Sequence, residues 1–167
     1  TFVQVSQISS PVGYVSLSEA VAPGTTYQTI QPNLTSSGYT FGYWSVGGNR
    51  LTDSDGRSIT RGEITVNAAT TITAHYFLST ADTDTDGLLD WFEFRNFGNL
   101  DQNASSDSDA DGFTNGQENG LGQEPTVKDS VQDGGISSRQ SSGFVFADSS
   151  MVHYLMKSDP IGFITTT

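Results

Sequence analysis

Two stretches of this chain set carboxylates at a spacing suited to a hard divalent cation. Residues 82–93 read Asp-Thr-Asp-Thr-Asp-Gly-Leu-Leu-Asp-Trp-Phe-Glu, and residues 107–118 read Asp-Ser-Asp-Ala-Asp-Gly-Phe-Thr-Asn-Gly-Gln-Glu. A cation that prefers six to eight oxygens at about 2.3–2.6 Å finds them in this pattern. Asp82, Asp84 and Asp86 in one stretch, and Asp107, Asp109 and Asp111 in the other, occupy positions 1, 3 and 5. They offer three carboxylates round one tight turn. Gly87 and Gly112 stand at position 6, where the chain must bend sharply. The carbonyls of Leu88 and Phe113 at position 7 supply a backbone oxygen. Asp90 and Asn115 at position 9 can ligate directly or through water, and they also sit where they can cap the helix that follows. Glu93 and Glu118 at position 12 reach back from the first helical turn and close the site.

Both stretches match the whole pattern of an EF-hand-like loop, and they begin 25 residues apart. The expected ligand is Ca²⁺, two ions per chain. Mg²⁺ prefers strict six-coordination and keeps its waters. A transition metal would call for His or Cys, which neither loop contains. The first loop runs into Leu88, Leu89, Trp91, Phe92 and Phe97 on overlapping helical faces, with Gly98 as the stop. The second predicts a shorter helix ending near Gly120 or Gly122. The segments before the loops are too short for an entering helix. A sensor that opens by swinging one helix against another is therefore not expected, and a structural role is favoured.

The rest of the chain must position these loops. Residues 1–78 alternate apolar and polar residues as strands do, at Phe2–Ser6, Gly13–Leu17, Tyr39–Trp44 and Thr70–Phe77. Turn residues separate them: Pro23-Gly24, Gly47-Gly48-Asn49, Asp53-Ser54-Asp55-Gly56 and Asn67-Ala68-Ala69. Asp53-x-Asp55-Gly56 has the opening cadence of a metal loop, but no acid follows at positions 9 or 12, so a hairpin turn is expected. The predicted fold is mainly β: a small antiparallel sheet module over 1–78, a double-loop segment with short helices over 79–128, a connector over 129–149, and terminal β-strands over 150–167. Phe41, Tyr43 and Trp44 are expected to pack in the sheet core.

Composition excludes several function classes. The formal net charge is −12, with nineteen acidic and seven basic residues. More than half of the acids lie between Asp82 and Glu124. Such a polyanion repels nucleic acid and anionic lipid. The absence of cysteine removes disulfides, thiolate metal sites and thiol catalysis. No apolar run approaches the roughly 20 residues that cross a bilayer. A chain opening Thr1-Phe2-Val3 is expected to be a processed or excised piece of a longer protein. His75 and His153 are the two imidazoles, each in a strand-like run with no catalytic pattern around it.

Ser37-Gly38-Tyr39-Thr40-Phe41-Gly42-Tyr43-Trp44-Ser45, followed by Ile64-Thr65-Val66-Asn67 and Thr71-Ile72-Thr73-Ala74-His75-Tyr76, resembles a divergent internalin-type B-repeat. The loops look like those of dockerins and thrombospondin type 3 repeats. The combination with Phe97-Gly98-Asn99-Leu100 and Gly134-Gly135-Ile136-Ser137-Ser138-Arg139 resembles tails of large repetitive surface proteins of Verrucomicrobia-like bacteria. That resemblance implies calcium and a bacterial extracellular surface location, not a defined activity.

The end of the chain echoes its start. Ser158-Asp159-Pro160-Ile161-Gly162-Phe163-Ile164-Thr165 aligns with Ser9-Ser10-Pro11-Val12-Gly13-Tyr14-Val15-Ser16, 149 residues earlier. A tandem unit, or a subunit whose last strands complete a neighbour's sheet, would give such an echo. The expected partner is a further copy of this chain, paired head to tail through Val152, Tyr154, Leu155, Ile161 and Phe163. The leading expectation is a non-catalytic, calcium-stabilised repeat of a secreted filament, stalk or adhesin. The alternative is a module that binds glycan or protein through Tyr43, Trp44 or Trp91. Lys128–Ile136 has the look of a decayed third loop, and no ion is expected there. Asn33-Leu34-Thr35 and Asn103-Ala104-Ser105 fit the glycosylation acceptor pattern, weakly so in a bacterial chain.

Overall fold

The computed structural model describes residues 1–128. The expected connector, the strands at 150–167, the third-loop remnant beyond Lys128, and His153 lie outside the described residues.

Among the described residues, eight strands precede two helices: β1 Val3–Ser10, β2 Ser16–Val21, β3 Thr25–Gln28, β4 Thr35–Ser36, β5 Tyr39–Val46, β6 Asn49–Arg50, β7 Glu63–Val66, β8 Thr70–Leu78, α1 Asp90–Asn96 and α2 Asn115–Leu121. The protein is mainly β, as its alternating sequence requires. The larger sheet runs β2-β1-β8-β5-β4, with β6 continuing from β5, and β3 pairs with β7 in a second, two-stranded sheet.

One pairing departs from the expected antiparallel module. β1 lies parallel to β8, with Val5 opposite Thr70 and Ser9 opposite Ala74. The first strand is inserted beside the last one, so no hairpin joins them. A period of two specifies which face a residue occupies but not the direction of its neighbour. The second strand also starts later than its sequence suggests. Gly13 has φ +110°, and the amides of Tyr14 and Val15 donate to Ser9 Oγ at 2.9 and 3.1 Å, so this stretch turns before β2 begins.

The four expected turns are present. Gly47 and Gly48 both have positive φ between β5 and β6, the requirement of a tight two-residue hairpin. At the Asp53 turn, the amides of Asp55 and Arg57 both donate to Asp53 Oδ1 at 3.0 Å. The turn is closed by an antiparallel bridge between Thr52 and Ser58.

The core forms from alternate positions of the long strands. Val5, Phe41, Trp44, Ile72 and Ala74 are wholly buried, with Tyr27, Val66 and Tyr76 nearly so. The Trp44 indole N–H donates to Thr60 O at 2.9 Å, so burial leaves its polar atom satisfied. A bulge between Phe41 and Tyr43 turns Tyr43 to the opposite face. There it stacks on His75 at 4.3 Å between ring centroids. Gly42, at the bulge, is needed because a Cβ would stand 2.5 Å from Phe77 Cε2.

The same outer face receives α1. Phe94 stacks on Phe77 at 4.8 Å and an interplanar angle of 10°, and it also meets Tyr43. Arg50 clamps the helix end: its Nη1 donates to Phe94 O at 2.9 Å and Arg95 O at 3.0 Å, a favourable place for a cation on the helix dipole. Arg95 Nη2 in turn donates to Phe41 O. The first loop and its helix are thereby fixed to the sheet.

Candidate metal centre

The two acidic loops share the same left-handed backbone turns at two matching positions. At position 4, Thr85 and Ala110 have φ +61° and +60°; at position 6, Gly87 and Gly112 have φ +95° and +103°. Two left-handed residues flanking the position-5 aspartate wrap the chain tightly about its own carboxylates. Neither Thr nor Ala favours that region, and the loops adopt it because side-chain acceptors collect the freed amides. Asp82 accepts from Asp86 N and Gly87 N, both at 3.2 Å. Asp107 accepts from Asp111 N at 3.2 Å and Gly112 N at 3.0 Å. The position-5 carboxylates accept from position 7: Leu88 N to Asp86 Oδ1 at 2.9 Å, and Phe113 N to Asp111 Oδ1 at 2.8 Å.

This wrapping gathers the carboxylates. One oxygen each from Asp82, Asp84 and Asp86 lies within 4.8 Å of the others, as do those of Asp107, Asp109 and Asp111, and each triad could hold a metal ion. Leu88 and Phe113 sit directly beside the triads through the amides just described.

Glu93 is the decisive residue of the first loop. It is 0 % exposed, and neither of its carboxylate oxygens has a hydrogen-bond partner. Burial, and then the charges of Asp86, Asp84, Asp90 and Asp82, push its pKa up to about 8. A carboxylate buried without a donor, beside four like charges, is costly unless a cation joins it. The fit to a hard cation is therefore good. Glu118, its counterpart in the second loop, is also 0 % exposed. Asp109 is likewise pushed up, by burial and then by Asp111 and Asp107.

The position-9 residues behave differently from the capping role expected of them. The N-caps are one residue earlier, Leu89 and Thr114, and Asp90 and Asn115 are the first helical residues. Thr114 makes the reciprocal capping box with Gln117, whereas Leu89 has no side chain able to cap. Asp90 and Asn115 instead turn back into the loop. Asp90 accepts from Thr83 N and Thr83 Oγ1, each at 2.7 Å, and Asn115 Oδ1 accepts from Ser108 N at 3.3 Å. They tie position 2 to the helix start.

The second helix is as long as the first, seven residues each. It ends at Gly122, in the left-handed conformation with φ +72°. Among the described residues no helix runs directly into either loop: β8 ends at Leu78 ahead of the first, and residues 97–106 separate α1 from the second.

A turn between the loops lies against both. Gly116 N donates to Ala104 O at 3.0 Å, and a Cβ at Gly116 would stand 2.9 Å from that oxygen. A Cβ at Gly87 would stand 3.2 Å from Ala104 Cβ. The 103–106 turn, held by Asn103 Oδ1 accepting from the amides of Ser105 and Ser106 at 3.0 Å, thus packs between both loops. The sequence gives little sign of this contact beyond a glycine at an odd place in a helix.

Of the aromatic residues considered for binding, Trp44 is in the core and Tyr43 is stacked under α1. Trp91 remains half-buried at the surface. Comparison with protein-family models, curated proteins and solved structures gives no match to this chain.

Proposed function

We propose that this chain is a calcium-stabilised, non-catalytic structural unit of a secreted bacterial filament, stalk or adhesin. One Ca²⁺ lies in each loop, at Asp82–Glu93 and Asp107–Glu118. The observation that carries the reading is Glu93: fully buried, without a hydrogen-bond donor, and at the twelfth position of a loop whose aspartates already converge. An all-oxygen set of this size suits calcium best. Two ions would reduce the formal charge from −12 to about −8 and relieve the repulsion that raises Glu93.

Loops with no entering helix, one of them fixed to a sheet by Phe94 and Arg50, are suited to stiffening an extended object. Copies pair head to tail in this reading, with residues 150–167 of one adding to a sheet edge of the next. β2 offers such an edge, since among the described residues it pairs with β1 alone. A contact of this kind does not close on itself and so propagates.

Titration calorimetry tests the ion: two sites are expected, with Kd of order 10⁻⁴–10⁻³ M, the range of extracellular modules. No heat of Ca²⁺ binding, together with an unchanged melting temperature in EGTA, would sink the reading. Deletion of residues 150–167 tests assembly. Full-length material that stays monomeric at high concentration in Ca²⁺ rules the filament out.

A further inference from the structure

Arginine is scarce in this acidic protein, and its placement is uneven. Five cationic side chains lie among the described residues: Arg50, Arg57, Arg61, Arg95 and Lys128. Three of them, Arg57, Arg61 and Arg95, line a single cleft of about 570 Å³. This volume falls in the range of about 300–1,000 Å³ typical of small-ligand sites. The cleft forms where the loop before β7, helix α1 and the end of α2 meet. Trp91, Asn119 and Gln123 complete the wall that matters here.

We propose that this cleft binds an acidic saccharide, a sugar ring bearing a carboxylate. Charge is the first reason. Glu124 is the one carboxylate of the lining, and it is paired with Arg57, which also reaches Asp53 at 3.5 Å. Arg61 and Arg95 have no carboxylate partner among the described residues. Burial, and then the neighbouring Arg57, lower Arg95 to about 10, so it stays cationic at neutral pH without a counter-ion. Unpaired, partly desolvated guanidinium groups are matched by a planar carboxylate.

Polar satisfaction is the second. Arg95 Nε, a donor, and Gln123 Oε1, an acceptor, are both buried with no hydrogen-bond partner. Gln123 as a whole is 7 % exposed. One orphan donor and one orphan acceptor at the same cleft suit a ligand that carries both an anion and hydroxyls.

The third is the indole. Arg95 Cζ sits 4.9 Å from the Trp91 ring centroid, so a ligand carboxylate that meets Arg95 brings its ring beside the indole, an apolar surface for sugar C–H groups. A nucleic acid or other long polyanion is disfavoured because the surrounding charge of −12 repels it. A small monoanion fits a small positive cleft in a negative surface.

The test is an NMR chemical-shift titration of the full chain, in millimolar Ca²⁺, with methyl glucuronide and methyl glucoside. Methyl glucuronide should perturb the Trp91 indole and the Gln123 amide, and methyl glucoside should bind about tenfold more weakly or less, the worth of one charge-assisted contact. Arg61→Glu should lower glucuronide affinity by at least about tenfold with an unchanged melting temperature. Arg61→Gln serves as the milder variant should the reversal disturb folding, and it should weaken binding in the same direction. Equal binding of the two sugars, no binding of either, tighter binding of inorganic phosphate than of glucuronide, or indifference to both Arg61 variants would each overturn the proposal.

Discussion

Residues 1–78 bury Val5, Phe41, Trp44 and Ile72 completely, whereas residues 79–128 bury Leu88 and Phe92 beside Glu93, Asn115 and Glu118. The first region removes apolar area from water and pairs most of the polar atoms it encloses, as Thr60 does for the Trp44 indole, the Tyr76 hydroxyl being an exception. The second folds its backbone round carboxylates and buries one of them with no donor at all. The comparison teaches that the sheet is folded by its own contacts, while the loop segment is arranged as if for something more. The sheet should tolerate changes of ionic conditions and be sensitive to cavities; the loops should respond in the opposite way.

The largest effect is expected from the sheet side. Trp44→Ala should destabilise the sheet region by ~3–5 kcal/mol, the range for deleting a large buried aromatic, as measured by denaturant unfolding. A loss below ~1 kcal/mol would mean that the core does not hold this region together.

Removal of Ca²⁺ should act on the other half. Mass action at millimolar Ca²⁺ supplies roughly 0.4–1.4 kcal/mol per site for Kd of order 10⁻⁴–10⁻³ M, with relief of carboxylate repulsion in addition. In EGTA, proteolysis should cut within residues 79–128 while the near-ultraviolet signal of the buried Trp44 persists. Asp86→Ala and Glu118→Ala should do the same with Ca²⁺ present. Loss of all structure in any of these cases contradicts the division, and would point to the Phe94–Phe77 stack and the Arg50 clamp as one cooperative unit.

A change of sign sharpens the contrast further. Glu93→Gln keeps the shape of the side chain and removes the buried charge. It should stabilise the loop segment in EGTA and weaken Ca²⁺ binding at the first site by about tenfold or more, as one charge-assisted contact is worth. A variant less stable in EGTA than the parent would show that Glu93 is already well accommodated without an ion.

The last contrast is in pH dependence, which should have opposite signs in the two regions. Glu93 has its folded pKa raised from 4.5 to about 8. Its contribution is therefore fully present below 4.5 and is lost as pH rises through 8, so the Ca²⁺-free loops should be firmer at pH 5 than at pH 8. His75 has its folded pKa lowered from 6.5 by burial. Its contribution is present above 6.5 and is lost as pH falls below that value, so the sheet should weaken on acidification. Amide exchange in EGTA across this range, read separately for β8 and α1, checks both. Parallel trends in the two regions would remove the distinction.

The loops were legible because their chemistry is local. A sharp turn with oxygens on alternate residues needs Asp, Gly and Glu at set positions, and Gly87 and Gly112 do carry the positive φ that spacing implies. The place of the N-caps was less legible. Asp90 and Asn115 are good capping residues by type, but in the folded loops their side chains serve the position-2 amides, leaving Leu89 and Thr114 as the caps. Strand positions and most turns followed from alternation and from paired glycines.

What the sequence by itself determined is thus the mainly β character, the burial of Phe41 and Trp44, and the two carboxylate turns, since each depends on residues within about a dozen positions of one another. The tertiary structure alone decided the parallel pairing of β1 with β8, the seating of Phe94 on Phe77, the wedge of Ala104 against Gly116, and the gathering of Arg57, Arg61 and Arg95 in one cleft with Trp91. These join residues distant in sequence, and the side-chain period of a strand or helix gives the face a residue occupies without naming the segment that will cover it.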